Sequence, residues 1–124
     1  MEDEEEKKKA RNKIRGHTDS VISLSSNPTD RSELASGSAD KSVLFWDLNE
    51  MKRKSALKAL HIDRVQAIRF HPTETSTLLS GSADSTVKVS DSRAPKNASH
   101  VWRFQNEIEK VMWVLNEDNY FLVQ

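Results

Sequence analysis

Residues 36–40 read Ser36-Gly37-Ser38-Ala39-Asp40 and lead into Val43-Leu44-Phe45-Trp46-Asp47. The pattern returns as Ser80-Gly81-Ser82-Ala83-Asp84 and Val87-Lys88-Val89-Ser90-Asp91, each residue 44 positions after its counterpart. The register runs without a gap, and residues 17–49 and 61–93 are identical at 14 of 33 positions. That is too many for shared composition. Self-similarity at this period marks a repeat architecture, in which each unit buries an apolar face on its neighbour.

Working outward, Gly16-His17-Thr18-Asp19 is a turn cluster, and the β-branched residues after it predict a strand over 21–24 bounded by Asn27-Pro28. A second strand is expected over 34–38, a tight turn at 39–41 and a third strand over 42–47. In that third strand Val43 and Phe45 alternate with Leu44 and Trp46, so both faces are apolar and both must be covered. Residues 49–54 are polar, and an outer fourth strand is expected over 56–60. The second unit restarts at His61-Ile62-Asp63-Arg64-Val65, with strands over 65–70, 77–82, 86–91 and 100–104. A third opens at Glu109-Lys110-Val111-Met112-Trp113 and reaches 120–123, inside a repeat. The expected fold is all-β: about two and a half four-stranded antiparallel units.

Four short strands per unit, with Trp-Asp closing the third, resemble a WD repeat of a β-propeller. The resemblance implies a polar network tying the loop before the first strand to the turn between the second and third. In repeat 1 its members are His17, Ser38, Asp40 and Trp46: an imidazole, a hydroxyl relay, a carboxylate and an indole donor. Such groups tolerate burial only by satisfying one another, so His17 reads as structural and not catalytic. Repeat 2 keeps His61, Ser82 and Asp84 but has Ser90 in place of tryptophan. The expectation is a looser second blade, stabilised by Ser90→Trp. In repeat 3, Glu107 stands where the others carry histidine.

Gly16-His17-Thr18-Asp19-Ser20-Val21, Phe70-His71-Pro72, Trp102-Arg103-Phe104 and Ile108-Glu109-Lys110-Val111-Met112-Trp113 make residues 16–115 similar, within WD proteins, to the periodic tryptophan protein 1 family. Ser26 and Ser90 depart from it, standing where an aromatic residue is expected. The resemblance implies a partial propeller acting as a non-enzymatic scaffold in the nucleus and nucleolus. It implies a role in ribosome biogenesis, through rRNA processing or transcription. Partners would be other proteins of a nuclear multiprotein complex, with indirect association with rRNA or chromatin. No membrane, cofactor or small-molecule substrate is implied.

Bulk properties set the boundaries. Nineteen basic and nineteen acidic residues cancel, so net charge gives no warrant for a nucleic-acid partner. Cysteine is absent, which removes disulfides and thiolate chemistry. No apolar run approaches the roughly 20 residues that span a bilayer. Residues 1–15 place five acidic residues before Lys7, Lys8, Lys9, Arg11, Lys13 and Arg15. They read as a solvated tail or linker, or as a nuclear-import basic run. The expected organisation is a tail at 1–15, repeats at 16–60 and 61–104, and a truncated repeat at 105–124.

Other chemistry finds little support. His17, His61, His71 and His100 have no metal-ligand spacing, Gly37 and Gly81 stand without a phosphate-cradling loop, and no nucleophile, base and oxyanion set can be assembled. Catalytic, cofactor and metal sites are therefore expected to be none. Asp91-Ser92-Arg93 resembles the Asp-x-Arg ending of WD repeats that dock onto the adaptor of cullin-type ubiquitin ligases. That makes Arg93 a partner contact and a substrate adaptor the alternative function. Trp102 is a second candidate contact. A truncated product without independent function is the third reading, with apolar patches and an unfinished sheet edge at 120–123.

Overall fold

The structure is a computed structural model and describes residues 16–93, 98, 100–114 and 120–124; the charged run at 1–15 lies outside them. β1 (Val21–Asn27), β2 (Asp30–Ser38), β3 (Val43–Asp47) and β4 (Lys52–Leu57) form one antiparallel sheet in chain order. β5 (Val65–Phe70), β6 (Thr77–Ser82), β7 (Thr86–Asp91) and β8 (His100–Arg103) form a second with the same order. β9 (Val111–Val114) and β10 (Tyr120–Val123) form a third, two-stranded unit. The architecture is a partial β-propeller: two complete blades and the inner strands of a third.

Each β2–β3 type turn passes through a left-handed residue that is not glycine, Lys41 at φ 75° and Ser85 at φ 68°. Ordinary residues disfavour that region, so bonds that tie the turn to its surroundings must hold it. In both blades an aspartate one position earlier supplies them.

Several strand boundaries differ from the sequence reading. The outer strand of the first blade is Lys52–Leu57, not 56–60, because residues 58–60 turn towards His61. Its leading Lys52, Arg53 and Lys54 are exposed on a sheet edge, where charge suits solvent and discourages pairing with other strands. β1 and β2 are longer than 21–24 and 34–38, extending to a turn at Asn27, whose side-chain oxygen accepts from the Thr29 amide at 3.0 Å. The first strand of the third unit is Val111–Val114.

The blades stack face to face. Ala35, Val43, Phe45 and Leu57 of the first meet Leu60, Val65, Ile68, Phe70 and Leu78 of the second in one buried cluster, with the Phe45 and Phe70 rings 6.2 Å apart. Leu79 and Val87 meet Ile108 and Val111 in the next. Gly37 and Gly81 permit these approaches. A Cβ on Gly37 would lie 2.9 Å from Val65 Cγ1, and one on Gly81 2.9 Å from Val111 Cγ1. A side chain at either position would have to displace the neighbouring blade.

Candidate functional site

The first candidate site is the network that the turn at 38–42 builds with the loop before β1. The Trp46 indole donates to Ser36 Oγ at 2.8 Å, and Ser36 Oγ lies 2.7 Å from His17 Nε2. With its oxygen accepting from the indole, the Ser36 hydroxyl donates to Nε2, which places the His17 proton on Nδ1. Nδ1–H then donates to Asp40 Oδ2 at 2.9 Å. The Thr18 amide also donates to Oδ2, at 3.0 Å, while the Ser42 amide, at 2.9 Å, and the Ser42 hydroxyl donate to Oδ1. Burial alone would raise the Asp40 pKa, but the bonds from Ser42, Thr18 and His17 outweigh it and hold the carboxyl at about 2.

This geometry corrects one assignment and adds two residues. The relay between histidine and indole is Ser36, not Ser38. Ser38 instead donates to the Ser20 carbonyl at 2.8 Å and accepts from the Asp40 amide at 3.0 Å, so it ties the turn to the leading loop. Ser36 and Ser38 share a strand face, and alternation cannot choose between them. Ser42 was missed, yet a hydroxyl at 42 and 86, serine then threonine, was the signal.

The second blade repeats the set. His61 Nε2 meets Ser80 Oγ at 2.9 Å and Nδ1 meets Asp84 Oδ2 at 3.0 Å; Thr86 Oγ1 donates to Asp84 Oδ1 at 2.6 Å, and Ser82 Oγ donates to the Arg64 carbonyl at 2.8 Å. Desolvation lowers the pKa of fully buried His61, with Lys88 adding to it, against the opposing pull of Asp84. This network is more enclosed than the first, with the His61 and Asp84 side chains 0% and 3% exposed against 4% and 9% for His17 and Asp40. Ser90 is buried with its Oγ unpartnered. Residue 60 differs in step with it. In the first blade the matching position is Gly16, where a Cβ would lie 2.5 Å from Leu44 Cδ1 and 3.0 Å from Trp46 Cη2. A side chain there would crowd both Leu44 and the indole. The second blade carries buried Leu60 with Ser90, and Lys88 Nζ donates to the Leu60 carbonyl.

The third unit is also read differently. Ile108 and Val111 flank Gly81 as Val65 and Ile68 flank Gly37, a spacing of 43 instead of 44. That register puts Phe104, not Glu107, at the histidine position. Glu107 pairs with Arg64 across the blades at 3.4 Å, an exposed contact.

A polar node that sequence reasoning missed joins the first two blades. Buried Glu33 accepts from Asn27 Nδ2 at 3.1 Å and from Ser92 Oγ at 2.9 Å through Oε1, and pairs with Lys54 Nζ through Oε2. The available signal was an acidic residue inside β2 whose counterpart is Thr77. Next to this node, Arg93 is exposed, and its Nε and Nη2 donate to Asp91 Oδ1 and Oδ2 at 3.1 and 2.8 Å. Its fork is occupied by its own aspartate. Trp102 is 38% exposed, between His100 at 5.7 Å and Phe121 at 4.7 Å. Trp113 donates to the Arg69 carbonyl at 3.1 Å and packs edge-on against buried His71. Among the described residues, no three of His, Asp and Glu converge as a metal site would require.

Comparison with known proteins agrees with this geometry. A family model described as WD domain, G-beta repeat matches residues 8–47 and 57–91. The chain is 35% identical over 110 residues to the periodic tryptophan protein 1 homolog of Drosophila melanogaster, a match covering 87% of this chain and 24% of the relative. It is 47% identical over 45 residues to periodic tryptophan protein 1 of Saccharomyces cerevisiae, covering 36% of this chain and 8% of that protein. Among solved structures, the RRP9 WD40 repeats superpose with a TM-score of 0.71 at 25% identity, covering 82% of this chain and 30% of that one. U3-55K superposes at 0.70 with 24% identity, covering 78% and 29%. The chain thus spans about a quarter of the length of its Drosophila relative.

Proposed function

The chain belongs to the WD-repeat family, and from that premise we propose that it is a non-enzymatic interaction scaffold of the nucleus, working in complexes that produce ribosomes. The observation that carries this reading is where the polar chemistry goes. His17, Asp40, Ser36 and Trp46 spend their hydrogen bonds on one another and on the adjoining loop. So do His61, Asp84 and Ser80. Groups that elsewhere act as base or nucleophile here lock a turn, which leaves loops, edges and faces as the working surface. The ribosomal and nuclear part rests on similarity to periodic tryptophan protein 1 over most of the chain.

The test is gradient sedimentation of nuclear extract from cells expressing the tagged chain. Co-migration with pre-ribosomal particles, lost on RNase treatment or on depletion of early pre-rRNA, supports the reading. Migration only with free protein overturns it. Capture of a ubiquitin-ligase adaptor that depends on Arg93 would replace it with the adaptor function.

A further inference from the structure

We infer that Ile62, with Lys41 and Lys58 beside it, forms a docking point for an acidic protein segment that carries a bulky apolar residue. Ile62 is 82% exposed, the most exposed large apolar side chain among the described residues. Its loop runs between the first and second blades, both complete, so its two neighbours in the propeller are in place. The loop is also fixed. The Leu60 carbonyl accepts from Lys88, the His61 amide donates to the Lys41 carbonyl at 3.3 Å, the Ile62 amide donates to Asp84 Oδ2 at 3.0 Å, and the Arg64 carbonyl accepts from the Ala83 amide at 3.1 Å. Only the amide of residue 62 serves the fold. Its counterpart in the first blade, Thr18, donates to Asp40 from the same amide and carries a polar side chain. The turn therefore does not require isoleucine. An apolar side chain held in solvent on a pinned backbone suits an anchor for a partner, because the loop has little freedom left to lose on binding.

The charge around Ile62 sets the chemistry of the partner. Lys41, in the turn between β2 and β3, and Lys58, in the turn after β4, are exposed, and neither pairs with a carboxylate among the described residues. The backbone bond from His61 brings Lys41 against the Ile62 loop, and Lys58 leads into that loop four residues earlier. On the other side Arg64 lies between Asp63 and Glu107, which offset its charge. An incoming chain therefore meets free positive charge on the first-blade side alone. That favours carboxylates next to the apolar residue of the partner and disfavours basic segments. This surface deepens the scaffold reading and rests on it, but the purified chain tests it separately from co-migration in nuclear extract.

The experiment is fluorescence anisotropy of the purified full chain with a short labelled peptide of glutamates around one leucine. The variants are Ile62→Thr, which copies the first blade, and Lys41→Gln combined with Lys58→Gln. All three positions are exposed, and far-UV circular dichroism verifies that each variant keeps its strands. The expected result is that each variant weakens binding by about tenfold or more. Added salt should weaken binding to the wild type and have much less effect on the glutamine variant. A peptide with serine in place of leucine should bind the wild type no better than the leucine peptide binds Ile62→Thr. No binding by the wild type, or equal binding by the wild type and Ile62→Thr, overturns the proposal. So does an RNA oligonucleotide that binds more tightly than the peptide and is indifferent to residue 62, since that assigns the two lysines to a phosphate backbone.

Discussion

Residue 90 shows how a repeat can lose its most visible side chain and remain packed. Trp46 in the first blade lies close over Gly16, whereas the second blade carries Ser90 with Leu60. Position 90 alone predicts a looser blade. The swap lies 30 residues away, in a loop, and no strand pattern connects the two positions. The expected outcome of Ser90→Trp is therefore destabilisation, by about 1 to 3 kcal/mol of overpacking. Adding Leu60→Gly should recover part of that loss. Urea unfolding of the two variants tests the coupling; equal midpoints for the single and double variants would count against it.

At the scale of elements, β5, β6 and β7 match the sequence reading residue for residue, because each is a short stretch with apolar residues bounded by turn residues. β4 was displaced because an exposed edge strand needs no apolar alternation. The histidine and aspartate partners were legible from the repeat, since the same residue types recur where the same turn must be held. The Glu33 node was not. It occurs once, and it depends on Ser92, 59 residues further on, reaching back between blades. Glu33→Ala leaves Asn27 Nδ2 and Ser92 Oγ without this acceptor, and hydrogen bonds to a charged group contribute roughly 1.5 to 3 kcal/mol. The expected loss of stability is about 2 to 3 kcal/mol, with faster amide exchange at both β2 and the turn after β7. Exchange confined to β2 would show that the node does not join the blades.

For the molecule as a whole, the buried network groups shift in directions that give one pH dependence. His61 has a lowered folded pKa, so its contribution is complete above its ordinary value near 6.5 and is lost as pH falls below it. Asp40, at about 2 when folded against an ordinary 3.8, contributes about 2 kcal/mol above pH 4, lost as pH falls towards 2. Asp84 is also lowered: burial opposes this, and the bonds from Thr86 and Ile62 together with His61 outweigh it. Stability should therefore fall in two steps on acidification, first below neutrality and again below pH 4. His61→Gln should remove the first step and leave the second. Denaturant midpoints measured from pH 7 to pH 3 would reveal both.

The stretch 36–47 holds a turn in place through Asp40 and its donors. The most direct test of that role is hydrogen exchange of the Thr18 and Ser42 amides, both of which donate to Asp40. In Asp40→Asn, protection at these two amides should drop by about tenfold or more, as loss of roughly 1.4 kcal/mol or more requires, while β5 to β7 keep theirs. Unchanged protection at Thr18 and Ser42 in a folded variant would contradict it.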